Sequence, residues 1–183
     1  MARGSPPDRT YEDREAHRRW VERALDAHER ALTTYAARIL GDVERARDVV
    51  QETFLRLWTA DREEVDDHLA AWLFTVCRHR ALDIVRRHQR EQKERHMHPV
   101  PDHPTPHSGR SAFEGLAQRE DKSRAEGAIE RLPERQQELL RLKFQAGLTY
   151  RDIAKVTGLS VSNVGYLLHV ALKAVRAELG RES

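Results

Sequence analysis

Four prolines, Pro99, Pro101, Pro104 and Pro106, fall within eight residues of this 183-residue chain. Proline has no backbone N–H and clashes with the preceding helical turn, so no helix passes through this stretch. Around it lie Ser108 and Gly109 and four histidines, His96, His98, His103 and His107. The composition is that of an extended tether, and it divides the chain into two units. The reading is a loose terminus at 1–10, a first domain at 11–95, a linker at 96–112 and a second domain at 113–183. Hydrophobic residues make up 39% and aromatics 6%, which suits two modest helical cores better than one large one.

Both units carry helical periodicity. Trp20, Val21, Ala24, Leu25, His28, Leu32, Tyr35, Ala36 and Ile39 recur at three- and four-residue steps, the spacing of one helix face. Gly41 ends that helix and Asp42 caps the next, which runs to about Thr59. Asp61 to Asp67 reads as a charged loop. A long helix from about His68 to Arg95 follows, with Leu69, Trp72, Leu73, Val76, Ala81, Leu82 and Val85 on its inner face. Beyond the linker, about 112–132 is weakly amphipathic. Pro133 opens a helix to Gln145, Thr149 starts a short one that Gly158 ends, and Ser160 caps the last, to about Leu179. No strand pattern competes. The fold class is all-α: two small helical domains on a flexible Pro/His-rich linker.

The last two helices have helix-turn-helix spacing. Ala154, Gly158 and Val164 stand at positions 5, 9 and 15 of a unit beginning at Tyr150. A small residue lets the helices approach, a glycine takes the turn, and an apolar residue packs the second helix on the first. Val164, Leu168, Ala171, Val175 and Leu179 form the inward stripe. Ser162, Tyr166, His169 and Lys173 form the opposite one, the candidate DNA-facing side, with Asn163 near its start; Asn pairs with adenine, and Ser and Lys reach bases or phosphates. A helical hairpin without DNA fits the spacing too. Leu167, Val170 and Ala174 make an apolar flank, either packed on the preceding helix or docking a partner.

Net charge is only +2 although 34% of residues are charged, so charge must be read locally. From Arg78 to Arg95, seven Lys or Arg stand against three acidic residues, enough to neutralise several phosphates. A solvated helix end is the plainer alternative. Beside it, Trp72 and Phe74 are candidates for holding unstacked bases, with core packing as the alternative for Trp72. Cys77, the one cysteine, excludes an internal disulfide and reads as a buried small hydrophobe. No apolar run is long enough for a membrane span and no signal segment opens the chain; the expectation is a soluble, cytoplasmic protein. The linker histidines match no compact zinc module. No catalytic constellation or phosphate loop stands out, so no enzyme activity, cofactor or metal is expected.

These residues together resemble the extracytoplasmic-function (ECF) group of bacterial RNA polymerase sigma factors, over about 21–90 and 129–179. The most specific match is Asp48-Val49-Val50-Gln51-Glu52-Thr53-Phe54-Leu55-Arg56-Leu57-Trp58. The resemblance implies that this helix docks on the polymerase β′ coiled coil through Asp48, Gln51, Glu52, Phe54 and Leu55. Trp72-Leu73, Val76, Arg78, Ala81-Leu82-Asp83 and Arg86-Arg87 look like the segment that melts and reads the −10 element. Trp72, Arg78, His79, Arg86 and Arg87 become its candidate contacts, although His79 replaces a common Asn. The preceding segment, 60–67, would capture a flipped base. Leu132-Pro133-Glu134-Arg135 and Tyr150-Arg151-Asp152-Ile153-Ala154 match the −35 domain. Arg151, Ser160, Ser162, Asn163, Tyr166, His169 and Lys173 are its candidate contacts. Implied partners are core polymerase (β′ coiled coil and β subunit), promoter DNA and an anti-sigma factor. The last helix is poor in the basic residues common in this family, which implies weaker dependence on a −35 duplex. Two other readings fit parts of the chain: a dimeric helix-turn-helix regulator and a helical adapter that binds no DNA.

Overall fold

The computed structural model describes residues 11–95 and 125–181, all of them helical or in the turns between helices. The expected loose terminus, the linker and the expected helical start at 112–124 lie outside the described residues. The first domain holds α1 (Tyr11–Leu40), α2 (Val43–Thr59), α3 (Arg62–Val65), a 3₁₀ turn (Asp66–His68) and α4 (Leu69–Arg95). The second holds helical residues 125–130, then α5 (Glu134–Phe144), α6 (Tyr150–Thr157) and α7 (Val161–Arg181).

Helix ends follow local chemistry. Gly41 has φ +70° and closes α1; the Asp42 carboxylate then accepts from the N–H groups of Glu44 and Arg45, satisfying donors that the first turn leaves unpaired. Thr149 and Asp152 form a reciprocal capping box at α6, and Gly158 ends it at φ 72°. Ser160 Oγ accepts from Asn163 N–H at the start of α7. Pro133 stands at the cap position before α5, not inside its first turn, and α5 ends at Phe144 with Gln145 capping it.

Three expectations need correction. Residues 61–67 are not a loop. Asp61 caps α3 through Glu63 N–H, and Val65 is buried. Asp66 Oδ1 accepts from Trp20 Nε1 at 2.8 Å; Arg62 lies 5.7 Å over the Trp20 ring and bonds Asp66. A short, acidic segment becomes helical because α1 holds it. The inner face of α4 is also rotated from the expected one. Its fully buried residues are Ala71, Leu73, Phe74, Cys77 and Ala81, with Leu69, Trp72 and Ile84 packed at the margin. Phe74 meets Tyr35 edge-on, 5.3 Å between centroids. It is a core residue, which removes it as a surface for bases.

The buried residues of both domains join in one apolar cluster, from Trp20 to Ala171. The junction is made chiefly where α6 lies on α4. Tyr35 and Arg78 of the first domain meet Glu138 of α5.

Candidate nucleic-acid and partner interfaces

The first surface is a groove between α1 and α2. Val50 and Phe54 turn inward from α2 while Leu55 and Trp58, on the adjacent arc, stand 61% and 49% exposed. With Val21, Leu25, Glu29, Thr33, Arg47 and Gln51 they line a cavity of about 480 Å³. Large apolar side chains in water beside a preformed groove, with polar Gln51, Glu29 and Arg47 at its edge, have the anatomy of a protein interface. His17 braces the groove's end. Its Nε2 lies 2.9 Å from the Trp58 carbonyl, and its ring packs between Trp20 and Trp58.

Of the residues expected here, Gln51, Phe54 and Leu55 line the groove. Asp48 is exposed outside that lining. Glu52 is bonded to Arg80 of α4 at 2.5 and 3.0 Å; this bond, ahead of a small opposing effect of burial, raises the Arg80 guanidinium above its ordinary pKa. Sequence reasoning missed Trp58 and the whole α1 wall. Trp58 is four residues from Phe54 and three from Leu55, a helical spacing that was available to find it.

The second surface is α4. Trp72 is half-buried; His79, Arg86 and Arg87 are exposed. Arg86 pairs with Asp83 at 3.4 Å and Arg87 with Glu91 at 2.9 Å. Both are exposed local pairs, worth little energetically and readily exchanged for phosphate. Arg78 differs. Its Nε donates to Glu138 Oε1 at 2.8 Å, and the two side chains are only 17% and 20% exposed. Burial works against its charge, but Glu138 more than offsets this and the Arg78 pKa is raised.

The third surface is α7. Ile153, Val156, Val164, Leu168 and Ala171 are buried in the helix-turn-helix core. Ser162, Asn163, Tyr166, His169 and Lys173 are all exposed, as are Arg151 and Ser160. Gly165 is where the Tyr150 ring approaches: a Cβ there would sit 3.7 Å from it. Leu167 packs against the common cluster together with Leu172 and Val175. Val170 is half-buried and Ala174 exposed. The apolar flank is thus partly consumed by packing.

Residues 24–91 match the family model of sigma-70 region 2, and residues 123–175 that of sigma-70 region 4. The ECF RNA polymerase sigma factor SigL of Mycobacterium tuberculosis is 32% identical over 164 residues, covering 86% of this chain and 88% of SigL. EcfG of Rhodopseudomonas palustris, also an ECF sigma factor, is 30% identical, covering 73% and 71%. Two solved structures share the fold. The sigma factor RpoE of Bartonella quintana, in complex with the anti-sigma factor NepR, has a TM-score of 0.62 at 20% identity, covering 91% and 98%. CnrH, in complex with the cytosolic domain of CnrY, has 0.58 at 22%, covering 93% and 94%. The chain belongs to the ECF sigma factors of RNA polymerase. Its function is that of the family: it joins core polymerase and directs initiation at promoters. None of the described helices is long and apolar enough to cross a membrane.

Proposed function

We propose that the α1–α2 groove is the surface that seats on the polymerase β′ coiled coil. The observation that carries this is the pair Leu55 and Trp58, held exposed at the mouth of a formed apolar groove. Gln51 and Asp48 supply the polar margin, and Glu52 keeps α2 in register with α4 through Arg80. Residues 11–95 act as the polymerase-binding and −10 domain and 113–183 as the −35 domain, joined by the linker at 96–112.

In the −10 domain, Trp72, Arg78, His79, Arg86 and Arg87 line the helix that follows the opened strand, and the segment at 60–67 lies where a flipped base is received. Binding the single strand in preference to the duplex favours the open promoter. In the −35 domain, Ser162, Asn163, Tyr166, His169 and Lys173 face the major groove, with Arg151 and Ser160 at the helix starts. Few cations stand on that face, so duplex affinity and its salt dependence are low. The chain performs no covalent chemistry, works in the cytoplasm, and is open to control by an anti-sigma factor at the surfaces it shares with polymerase.

The test is affinity for sigma-free core polymerase. Replacing Leu55 and Trp58 with Ala should weaken it about thirtyfold per buried anchor, or about 2 kcal/mol each. Unchanged affinity in the double variant would remove the groove from the polymerase interface.

A further inference from the structure

One carboxylate of the second domain takes bonds from two residues of the first. Glu138 Oε1, on α5, accepts from the Tyr35 hydroxyl of α1 at 2.7 Å and from Arg78 Nε of α4 at 2.8 Å. Burial, then the Glu138 charge, pushes the Tyr35 hydroxyl pKa well up, so it remains a donor. A second cross-domain pair, Arg38 with Glu130 at 3.2 Å, lies at the exposed edge. Nearby, Arg141 of α5 is partly desolvated and feels the charge of Arg38, and its pKa is lowered. A single carboxylate therefore neutralises a cation that packing has largely removed from water. Removing it would strand Arg78 at the seam, an uncompensated charge that parting the domains would relieve by returning it to water.

We propose that Glu138 is a latch: it closes the second domain on the first and withholds Arg78 from nucleic acid until the domains part. This inference rests on the reading of Arg78 as a DNA contact. The latch is one-sided. Arg78 is 17% exposed in the closed chain, whereas Tyr166 on the opposite domain's reading helix is 66% exposed. The closed protein thus presents its duplex-reading helix while holding back a cation of its strand-opening helix. A DNA phosphate is the chemical rival of Glu138 for the Arg78 guanidinium, because both are anions able to take its N–H donors.

The experiment uses the full chain in four forms: wild type, Glu138→Gln, Tyr35→Phe, and Glu138→Gln with Arg78→Gln. Small-angle scattering reads the radius of gyration. Fluorescence anisotropy reads affinity for a labelled, mixed-sequence single-stranded DNA of twenty nucleotides. Glu138→Gln should expand the chain measurably and tighten DNA binding roughly fivefold, the upper scale of one exposed ion pair. Tyr35→Phe should shift both readings the same way by less. The double variant should be as expanded as Glu138→Gln but lose the gain in affinity, an outcome that general loosening would not give. Unchanged size and affinity in Glu138→Gln overturns the latch, as does a gain that survives loss of Arg78. Run-off transcription with core polymerase separates the two readings. Transcription with no response to Glu138→Gln removes the latch alone. The predicted expansion and affinity changes without transcription by any form keep the latch and remove the sigma role.

Discussion

Leu55 and Trp58 stand in water on a helix whose other face, Val49, Val50, Thr53 and Leu57, is fully buried. Nothing within the described residues covers them. Cys77 is the opposite case. Burial pushes its thiol from an ordinary 9.0 up to about 12, with a Thr53 hydrogen bond opposing the shift. At pH 8 it should resist a disulfide reagent in the native state and react only as the protein unfolds; rapid modification of folded protein would contradict its burial. The linked stability is complete below the thiol's unfolded pKa, because the folded site keeps it neutral. It declines as pH rises from there toward about 12. His28 has the reverse sign: burial lowers its pKa, so its contribution is present above the unfolded value of about 6.5 and falls away as pH drops through the folded one. In a denaturation series from pH 7.5 to 5, His28→Gln should lessen the loss of stability on acidification.

At the scale of elements, helix ends were the most legible feature of the sequence. Gly41, Asp42, Thr149, Gly158 and Ser160 each act through atoms two to four residues away, so their roles are local and visible in order along the chain. Thr149→Ala should cost about 1 kcal/mol in chemical denaturation by opening the capping box. Gly158→Ala meets no atom within 4 Å, yet should cost about 1–2 kcal/mol because φ 72° strains any side-chain-bearing residue. The same denaturation midpoints check both, and a neutral Gly158→Ala would mean that the turn relaxes freely. What the sequence hid was set by distant residues. Residues 62–65 look like loop because their helix depends on Trp20, forty-six residues from Asp66. Phe74 looks available because its partner, Tyr35, is on another helix. The groove beside Trp58 was hidden because its second wall belongs to α1.

For the whole molecule, the division into two helical units and the helix-turn-helix could be inferred from spacing; the polymerase-facing helix and the −10 and −35 assignments came only from the family resemblance. The closure of one unit on the other could not. Glu138 is sixty residues from Arg78 and 103 from Tyr35, and nothing in the periodicity of α5 marks that position as different from its neighbours. The closed arrangement also reconciles a small net charge with nucleic-acid binding: acidic Glu130 and Glu138 are spent against Arg38 and Arg78 across the seam, so parting the domains uncovers positive charge on the first. The central claim, that this chain makes core polymerase promoter-specific, is tested most directly by run-off transcription with sigma-free bacterial core on a library of genomic fragments. Discrete transcripts that require the chain and fall with Leu55→Ala and Trp58→Ala are the predicted result. Absence of transcripts, with no binding of the wild-type chain to core, would contradict it.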